Sequence, residues 1–324
     1  MPQFGVIGQG SIGKRHLRNL RQLFPQARLL SVSASGNRHS SPPEQAIALT
    51  LPELIAQKPD FVIVASPANL HLQHTQALLA AGIPTLVEKP IAVSAEQSSQ
   101  FMQLLTLYPQ AIVEVGYCLR FLPAAQLIQQ IIKSEQLGRI FTVISEVGQY
   151  LPHWRPDTDY RQTVSAQAAL GGGALLELSH ELDYLQWLFG PLQLCYARNR
   201  QSGLLQLDVE DISELILESV DNICCMVHLD FIQQAAKRHC AIIAANGRLE
   251  WDLIANTVTL HQHNRTQQLY QDKNYDKNNM YLAMLQAFWH KIQQPDHNQG
   301  SLLSAAAIVK LIEQAKGFKQ QDIL

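Results

Sequence analysis

A glycine-rich loop close to the amino terminus contains the first residues that indicate a chemistry. It occupies residues 8–13, reads Gly-Gln-Gly-Ser-Ile-Gly, follows a strand-like run and opens a helix-like stretch. In this context the glycines allow a tight turn, a close approach of the backbone to a pyrophosphate and close helix packing, while amides at the helix start face the anion. A turn without a ligand is the alternative. The residues predicted to bind a dinucleotide here are Gly8, Gly10, Ser11, Ile12 and Gly13.

The end of the second strand-like run bears on which dinucleotide binds. NAD-binding proteins usually place an acidic residue about 20 positions beyond the glycines, on the adenine ribose. Here residues 31–38 read Ser-Val-Ser-Ala-Ser-Gly-Asn-Arg, without a carboxylate. Hydrogen bonds from Ser33, Ser35 and Arg38 suit a 2′-phosphate, so we predict NADP in preference to NAD. The alternative is that the serines cap a surface turn.

Four further blocks have a more specific pattern. Residues 66–71 read Ser-Pro-Ala-Asn-Leu-His and residues 87–90 read Val-Glu-Lys-Pro; both follow strand-like runs, at the edge where doubly wound sheets bind ligands. Three glycines at 171–173 and Leu-Ser-His-Glu-Leu-Asp-Tyr-Leu at 178–185 come later. With these blocks in this order, nearly the whole chain resembles the Gfo/Idh/MocA family of glucose-fructose oxidoreductase, inositol dehydrogenase and rhizopine catabolism proteins.

The resemblance implies hydride transfer on sugars, cyclitols or their derivatives, with Lys89 and His180 beside the nicotinamide. Oxidation of an alcohol needs a group that takes the hydroxyl proton and a cation that stabilises the developing alkoxide. A histidine suits the first task and a lysine the second. A core or surface role without chemistry is the alternative for each. The residues of the two strand-end blocks predicted to contact the cofactor are Ser66, Pro67, Asn69, His71, Glu88 and Lys89.

Glu177 marks a departure from the family pattern. Many members carry an aspartate four residues before the histidine, but that position is Leu176 here and the nearest carboxylate is Glu177. A residue three positions before another can share its helix face, so we predict that Glu177 orients His180 in catalysis. A carboxylate favoured by the helix macrodipole is the alternative.

The segment 150–161 interrupts the second half with prolines, aromatic residues and arginines. Long loops in compact domains are usually functional or disordered, and the aromatic residues argue against disorder. Arginines suit a carboxylate or phosphate, and aromatic rings stack on a sugar or nicotinamide. A packing loop with surface ion pairs is the alternative. Together with the glycines at 171–173 and the His-Glu-Leu-Asp-Tyr-Leu run at 180–185, the segment resembles a family branch of surface-polysaccharide and acidic-sugar biosynthesis. The predicted substrate-binding residues are Lys89, Arg120, Trp154, Arg155, Tyr160, Arg161 and His180.

The elements that position these residues are of two kinds. Before residue 118, short apolar runs alternate with helix-like stretches, which predicts an α/β Rossmann domain with a doubly wound parallel sheet over residues 1–121. Residues 122–324 contain successive strand-like runs with few helices, which predicts an α+β domain with a large, mostly antiparallel sheet for substrate binding and oligomerisation. The closing helices are expected to cover one face of that sheet or to return to the first domain.

Composition excludes several classes of protein. The chain has 324 residues, 47% hydrophobic and 16% charged, and a net charge of −2, which gives no indication of nucleic acid or a membrane as partner. A strand-like run begins almost at Met1 and no apolar run could span a bilayer, so we expect a cytoplasmic protein. The five cysteines lack zinc spacing, and we predict no metal site.

One strand-like run suggests an assembly. Alternate residues of 223–231 form an apolar face, while the other face, with Cys224, Met226, His228 and Asp230, is half polar. A half-polar sheet face is a candidate subunit interface, so we expect a homodimer or homotetramer. A solvated face with scattered apolar residues is the alternative.

Three functions fit the sequence. The favoured one is an NAD(P)-dependent dehydrogenase or reductase for a sugar or sugar derivative. A second is an NAD(P)-binding glycosidase-type enzyme in which hydride transfer is transient. A third is a nucleotide-sensing protein without catalysis, against which the presence of Lys89 and His180 argues.

Overall fold

The computed structural model describes residues 1–38, 41–294 and 300–319. These residues form two compact units, one from Met1–Cys118 and Asn278–Val309, the other from Leu119–Lys277 and the described residues after Val309. The boundary expected after residue 121 stays a prediction. The domain predicted over 122–324 includes residues 295–299 and 320–324, which lie outside the described residues.

Nine α-helices lie within the described ranges, and capping side chains mark where two of them begin. Ser94 caps the fourth helix by accepting a hydrogen bond from the amide of Gln97, and Thr50 and Glu53 form a reciprocal capping box on the second. The helices are α1 (Ser11–Leu23), α2 (Leu51–Ala56), α3 (His71–Ala80), α4 (Ala95–Leu107), α5 (Pro123–Lys133), α6 (Ala174–Glu177), α7 (His180–Phe189), α8 (Asn279–Gln293) and α9 (Gly300–Gly317).

The first unit contains a parallel sheet, which has six strands within the described residues. They are β1 (Gln3–Ile7), β2 (Arg28–Val32), β3 (Ile47–Ala48), β4 (Phe61–Val64), β5 (Thr85–Val87) and β6 (Val113–Val115). Their order is β3-β2-β1-β4-β5-β6, which confirms the predicted doubly wound sheet. The sequence predicted five of these strands; the two-residue β3 is too short to show a period.

Burial explains why the strands of this sheet read as continuous apolar runs. All four residues of β4 are buried, as expected where helices cover both faces of a parallel sheet. On one face Phe4 and Phe61 pack ring against ring at 4.4 Å, and Trp289 of α8 meets Phe4 edge-on at 5.4 Å. The strand order reverses direction at β1 and β4, so their carboxyl ends form the crevice in which such sheets bind ligands.

The second unit contains a larger sheet with eight strands in the described part of the chain. They are β7 (Ile140–Gly148), β8 (Leu192–Arg200), β9 (Ile212–Ser219), β10 (Cys224–Asp230), β11 (Lys237–Ala244), β12 (Gly247–Asp252), β13 (Thr257–Gln262) and β14 (Arg265–Gln271). Only the pair β7–β10 is parallel among these strands, so the prediction of a mostly antiparallel sheet is confirmed. Strand β14 was not predicted, because this polar strand lacks apolar alternation.

Helix α7 packs on one face of this sheet. The hydroxyl groups of Tyr184 on α7 and Ser145 on β7 are hydrogen-bonded at 2.6 Å, and both residues are buried. The Tyr184 ring also meets the indole of Trp251 on β12, with centroids 5.2 Å apart. These contacts fix the helix that begins with His180. Across both units, no helix of the described residues has the length and apolar character needed to cross a membrane.

Candidate functional site

The glycine loop turns sharply from β1 into α1. Gly8 has a φ of +106°, and a Cβ there would lie 2.3 Å from the carbonyl oxygen of Ala65. A Cβ on Gly13 would lie 2.1 Å from the carbonyl oxygen of Gly8, whereas one on Gly10 would meet no atom within 4 Å. Two of the glycines are therefore required by the fold itself, and Gly10 leaves open space above the helix start. Ser11 and Ile12 form the first turn of α1.

Buried polar atoms of two amide side chains, one within this loop and one after β4, test whether a dinucleotide fits. Both side-chain polar atoms of Gln9 and the Oδ1 atom of Asn69 are inaccessible and have no hydrogen-bond partner among the described residues. Gln9 follows β1 and Asn69 follows the neighbouring β4. Leaving buried polar atoms unsatisfied is costly, so these amides suit a polar ligand. Together with the helix-start amides for a pyrophosphate, they fit NAD(P). Gln9 was not among the predicted site residues, because it occupies a variable position of the motif.

The end of β2 carries the groups predicted to select the cofactor. The Ser33 and Ser35 hydroxyl groups are hydrogen-bonded at 2.8 Å, in the turn that Gly36 closes by donating to the Ser33 carbonyl. Arg38 lies further along, exposed, and its guanidinium donates to the Glu53 carboxylate at 2.5 Å. Glu53 had no place in the sequence-based prediction. The Glu53 carboxylate is paired with the Arg38 guanidinium, which is the cation predicted to bind a 2′-phosphate.

The segment after β4 is held by two buried histidines. His71 Nε2 lies 2.8 Å from the Ser66 carbonyl oxygen and its Nδ1 lies 3.0 Å from that of Pro90. The ring therefore ties together the loops that follow β4 and β5. Burial lowers the pKa of His71, and the Ser66 carbonyl opposes that shift. His74 contacts the Ser66 hydroxyl at 3.0 Å, and burial, with the nearby His71, lowers its pKa to about 4.

Glu88 and Lys89 follow β5 directly. The Glu88 carboxylate is buried. It is hydrogen-bonded to Nε2 of His16 at 2.6 Å and accepts a hydrogen bond from the backbone N–H of Lys89 at 3.2 Å. Lys89 itself is half-buried. Glu88 was predicted to bind the cofactor, and His16 was not among the predicted site residues. The available indication was a histidine on the apolar face of α1, with Gly13 three residues before it and Leu20 four after it.

In the second unit, His180 is the first residue of α7, and Glu177 is the last residue of α6. Glu177 and His180 therefore do not share one helix face as predicted, because Leu178 and Ser179 separate the two helices. The Glu177 carboxylate accepts a hydrogen bond from the Ser165 hydroxyl at 2.8 Å. An orienting role of Glu177 toward His180 stays a prediction that rests on sequence proximity alone.

Two forked ion pairs hold the first turn of α7. Arg238 of β11 donates to both carboxylate oxygens of Glu181, and Arg120 does the same to Asp183. Both carboxylates are fully buried. Burial raises the pKa of Asp183 to about 6 although the Arg120 guanidinium acts in the opposite direction. Arg120, predicted to bind substrate, thus has its guanidinium on Asp183.

The three glycines form the turn that leads into α6. Gly173 has a φ of +104°, and its Cβ would lie 2.4 Å from Oε1 of Glu210. The same oxygen accepts a hydrogen bond from the amide of Leu175 at 3.1 Å, and the Glu210 carbonyl accepts from Ala174 at 3.0 Å. A carboxylate therefore satisfies the start of this short helix, and only glycine leaves room for it. Glu210 was not predicted, because it lies 37 residues beyond Gly173 in the chain.

The long segment after β7 consists of short 3-10 turns. Trp154 packs edge-on against Phe231, with centroids 5.3 Å apart, and the Tyr160 hydroxyl donates to the Leu205 carbonyl at 3.1 Å. Arg161 forms a forked, exposed pair with Asp159, which raises the pKa of Arg161 and lowers that of Asp159. The side chain of Arg155 is exposed. Of the two aromatic residues predicted to bind substrate in this segment, Trp154 thus packs against another ring and Tyr160 is hydrogen-bonded to the backbone.

A doubly wound sheet with this glycine loop at the end of its first strand is a dinucleotide-binding domain. Comparison with known proteins agrees. Residues 3–117 match the family described as "Oxidoreductase family, NAD-binding Rossmann fold", and residues 125–250 match the "GFO/IDH/MocA C-terminal domain". The chain belongs to the GFO/IDH/MocA family, and its first domain is of the NAD-binding type.

Several curated relatives and solved structures are similar to the chain. It is 27% identical to the rhizopine catabolism protein MocA of Rhizobium meliloti over 58% of its own length, and 28% identical to inositol 2-dehydrogenase of Acidiphilium cryptum over 57%. The match spans only 57% and 54% of those relatives. Among solved structures, levoglucosan dehydrogenase in complex with NADH and levoglucosan superposes with a TM-score of 0.81 at 18% identity, covering 98% of this chain and 96% of the other. An inositol dehydrogenase homologue in complex with NAD+ from Azotobacter vinelandii superposes with a TM-score of 0.79 at 15% identity. That match covers 98% of this chain and 95% of the other.

Proposed function

We propose that the chain is an NAD(P)-dependent dehydrogenase or reductase that acts on an alcohol or carbonyl group of a sugar or sugar derivative. The observation that carries the proposal is the crevice at β1 and β4, where the glycine loop is open at Gly10. There both polar side-chain atoms of Gln9 and Oδ1 of Asn69 are buried without partners among the described residues. Membership of an oxidoreductase family supports it.

The proposed chemistry follows from what oxidation of an alcohol requires. When bound, the nicotinamide supplies the hydride acceptor or donor. In this proposal His180 exchanges the hydroxyl proton, and Lys89 stabilises the negative charge that develops on the oxygen. The two ion pairs on Glu181 and Asp183 hold the helix turn that His180 begins, and the Glu88 carboxylate binds the backbone of Lys89. Both proposed groups are thus attached to rigid supports.

A polyol is the substrate class that the relatives favour. The names of the similar proteins refer to inositol and levoglucosan, both rich in hydroxyl groups. In this proposal the segment after β7 recognises the substrate, with stacking on Trp154 or Tyr160 and charge recognition by Arg155 and Arg161. Arg120 acts through Asp183 on helix α7. Anionic sugars are the first compounds to test, because exposed arginines are present.

In the experiment, cyclitols, anhydrosugars, sugar acids and nucleotide sugars are screened as substrates. Turnover is measured as a change in absorbance at the nicotinamide band. On the substrate found, Lys89→Ala and His180→Ala are expected to reduce kcat at least 100-fold, since general acid–base groups contribute about that much. Lys273→Ala and His290→Ala alter exposed residues and serve as matched controls. Unchanged turnover of both site variants would reject the catalytic assignment.

The alternatives are distinguished by the same screen. A glycosidase-type enzyme would cleave a glycoside without net change in NAD(P)H, so products must also be analysed by chromatography. Tight cofactor binding without turnover of any compound would favour a nucleotide-sensing protein. Net, stoichiometric formation of NAD(P)H or NAD(P)+ supports the dehydrogenase.

The proposal includes NADP as the preferred cofactor. Ser33 and Ser35 have hydroxyl groups at the end of β2, and this segment carries no carboxylate up to Arg38. The ion pair of Arg38 with Glu53 is exposed, so a 2′-phosphate with two negative charges can replace the Glu53 carboxylate on the guanidinium. A direct comparison of NADPH and NADH affinities tests this preference.

The proposal also includes assembly through the uncovered face of the second sheet. Ile144, Met226 and Ile216 lie next to one another across strands β7, β10 and β9, and all three are exposed. A contiguous apolar stripe on a sheet face is typical of a subunit interface. Met226→Lys should therefore shift sedimentation toward monomer, whereas Leu303→Lys, which alters an exposed leucine of α9, should not. A wild-type protein that sediments as a monomer would contradict this assembly.

A further inference from the structure

The proposed reaction uses Lys89 and His180, and a buried histidine, His16, is connected to Lys89 through Glu88. His16 is 0% exposed, on the second turn of α1, three residues after the last glycine of the loop. Its Nε2 lies 2.6 Å from Oε1 of Glu88, and Oε2 of Glu88 accepts from the backbone N–H of Lys89 at 3.2 Å. Two hydrogen bonds therefore connect the dinucleotide helix to Lys89.

The Glu88 carboxylate is confined on its other sides. A Cβ on Gly116 would lie 3.1 Å from the carboxylate carbon and from Oε1, which is tighter than ordinary van der Waals contact. The Glu88 amide donates to the Val64 carbonyl at 2.9 Å, and the Gly116 amide donates to that of Val87 at 2.8 Å, so both backbones are anchored to the sheet. The carboxylate is thus held between a strand end and α1, with little freedom to change its hydrogen bonds.

The imidazole of His16 is confined as well. The Tyr281 ring of α8 meets it edge-on, with centroids 6.2 Å apart and planes at 74°. The guanidinium of Arg15 lies over the Tyr281 ring, 4.7 Å from its centroid. Because α1 and α8 pack together in one unit, the ring has one orientation in which Nε2 faces Glu88. A buried carboxylate requires such donors, since its charge is costly without them.

We propose that His16 is a positioning residue, which acts through Glu88 to hold the main chain of Lys89 where its side chain meets the reacting oxygen. The inference rests on the proposed role of Lys89. The same α1 that begins at the phosphate loop carries His16, so the helix that binds the dinucleotide also places Lys89. Displacements of about 1 Å at a reacting group are enough to cost large factors in rate.

A matched pair of substitutions tests this directly. Glutamine places its amide nitrogen near the position of Nε2, so His16→Gln keeps the donor to Glu88. Asparagine places its nitrogen near Nδ1, so His16→Asn is equally polar but falls short of the carboxylate. We expect His16→Asn to reduce kcat at least tenfold with NAD(P)H affinity within threefold of wild type, and His16→Gln to keep kcat within threefold. His290→Asn, at an exposed position of α8, is the control.

A second measurement uses the cofactor-free protein. Reductive methylation with 13C-formaldehyde labels lysines, and the Lys89 resonance is assigned by its loss in Lys89→Arg. We expect that resonance to shift or broaden in His16→Asn and to stay in place in His16→Gln. This readout does not depend on turnover, so it separates the two proposals. A fully active Lys89→Ala variant would reject the catalytic role of Lys89, while the resonance would still report on positioning by His16.

Two outcomes would overturn the proposal. Equal losses in His16→Asn and His16→Gln would show that the hydrogen bond to Glu88 does not matter. Losses in melting temperature and cofactor affinity, with kcat and the Lys89 resonance unchanged, would show that the pair only stabilises the fold. If His16→Asn does not fold, Glu88→Gln, which keeps an acceptor for the Lys89 amide, must instead shift the Lys89 resonance by altering the bond to His16.

Discussion

The guanidinium of Arg238 binds the Glu181 carboxylate through two hydrogen bonds, Nε to Oε1 at 2.6 Å and a terminal nitrogen to Oε2 at 3.1 Å. Glu181 is fully buried, and it directly follows His180. The pair therefore attaches the first turn of α7 to strand β11 of the second sheet. It is a structural support rather than a group that meets substrate in the proposed reaction.

Removal of one partner of the Arg238–Glu181 pair should destabilise the folded protein. Arg238→Met leaves a buried carboxylate without its forked partner, so the free energy of unfolding should fall by about 3 kcal/mol or more. Arg248→Met, which breaks an exposed pair with Glu250, should cost less than about 1 kcal/mol. Urea unfolding of both variants gives the comparison. Equal and small losses would mean that the Glu181 carboxylate is satisfied without Arg238.

The glycine loop allows a test that separates binding from folding. Gly10→Ala places a Cβ where no protein atom lies within 4 Å, so the melting temperature should stay close to wild type. A dinucleotide over the loop would meet that methyl group, and NAD(P)H affinity should fall about tenfold or more, or at least 1.4 kcal/mol. Gly13→Ala, whose Cβ clashes with the Gly8 carbonyl, should instead destabilise the fold. Unchanged affinity in Gly10→Ala would place the cofactor elsewhere.

Cofactor preference should depend on Arg38 and Glu53 in opposite directions. Arg38→Ala removes a charged donor, so NADPH affinity should fall about tenfold while NADH affinity stays within twofold. Glu53→Gln keeps an acceptor for the Thr50 amide but no longer competes as an anion, so NADPH should bind more tightly. Nicotinamide fluorescence titrations measure both. Parallel changes for the two cofactors would contradict a 2′-phosphate site at Arg38.

Acid should weaken the first unit through His74. Its pKa is lowered to about 4 in the folded protein and is about 6.5 when unfolded, so the unfolded chain binds the proton more tightly. The stabilising contribution is complete above pH 6.5 and is lost as the pH falls toward 4. Between pH 7.5 and 5.0 the wild type should lose about 2 kcal/mol more than His74→Gln in urea unfolding. His290→Gln, at an exposed site, should follow the wild type, and a His74→Gln variant that does the same would refute the assignment.

Much of the fold follows from local patterns. The doubly wound sheet, the helix after the glycine loop and the mostly antiparallel second sheet were predictable, because hydrophobic period and glycine conformations act over a few residues. The strands that were not predicted are β3, with two residues, and the polar β14. Neither contains enough apolar residues to reveal a period.

The candidate site was only partly predictable. The loop residues and the placement of Lys89 after β5 follow from motifs that are contiguous in the chain. Gln9, His16 and Glu210 escaped, and the shared helix face of Glu177 and His180 was wrong. These properties depend on which partners lie nearby in space or on where one short helix ends, neither of which a motif specifies.

The amino-acid order alone therefore determined the type of each domain and the positions of the phosphate loop and Lys89. The tertiary structure decided which polar side chains are committed to one another: His16 to Glu88 across 72 residues, and Arg238 to Glu181 across 57. The physical reason is that a buried charge must find its partner in space, and burial and distance are set by the packing of elements far apart in the chain.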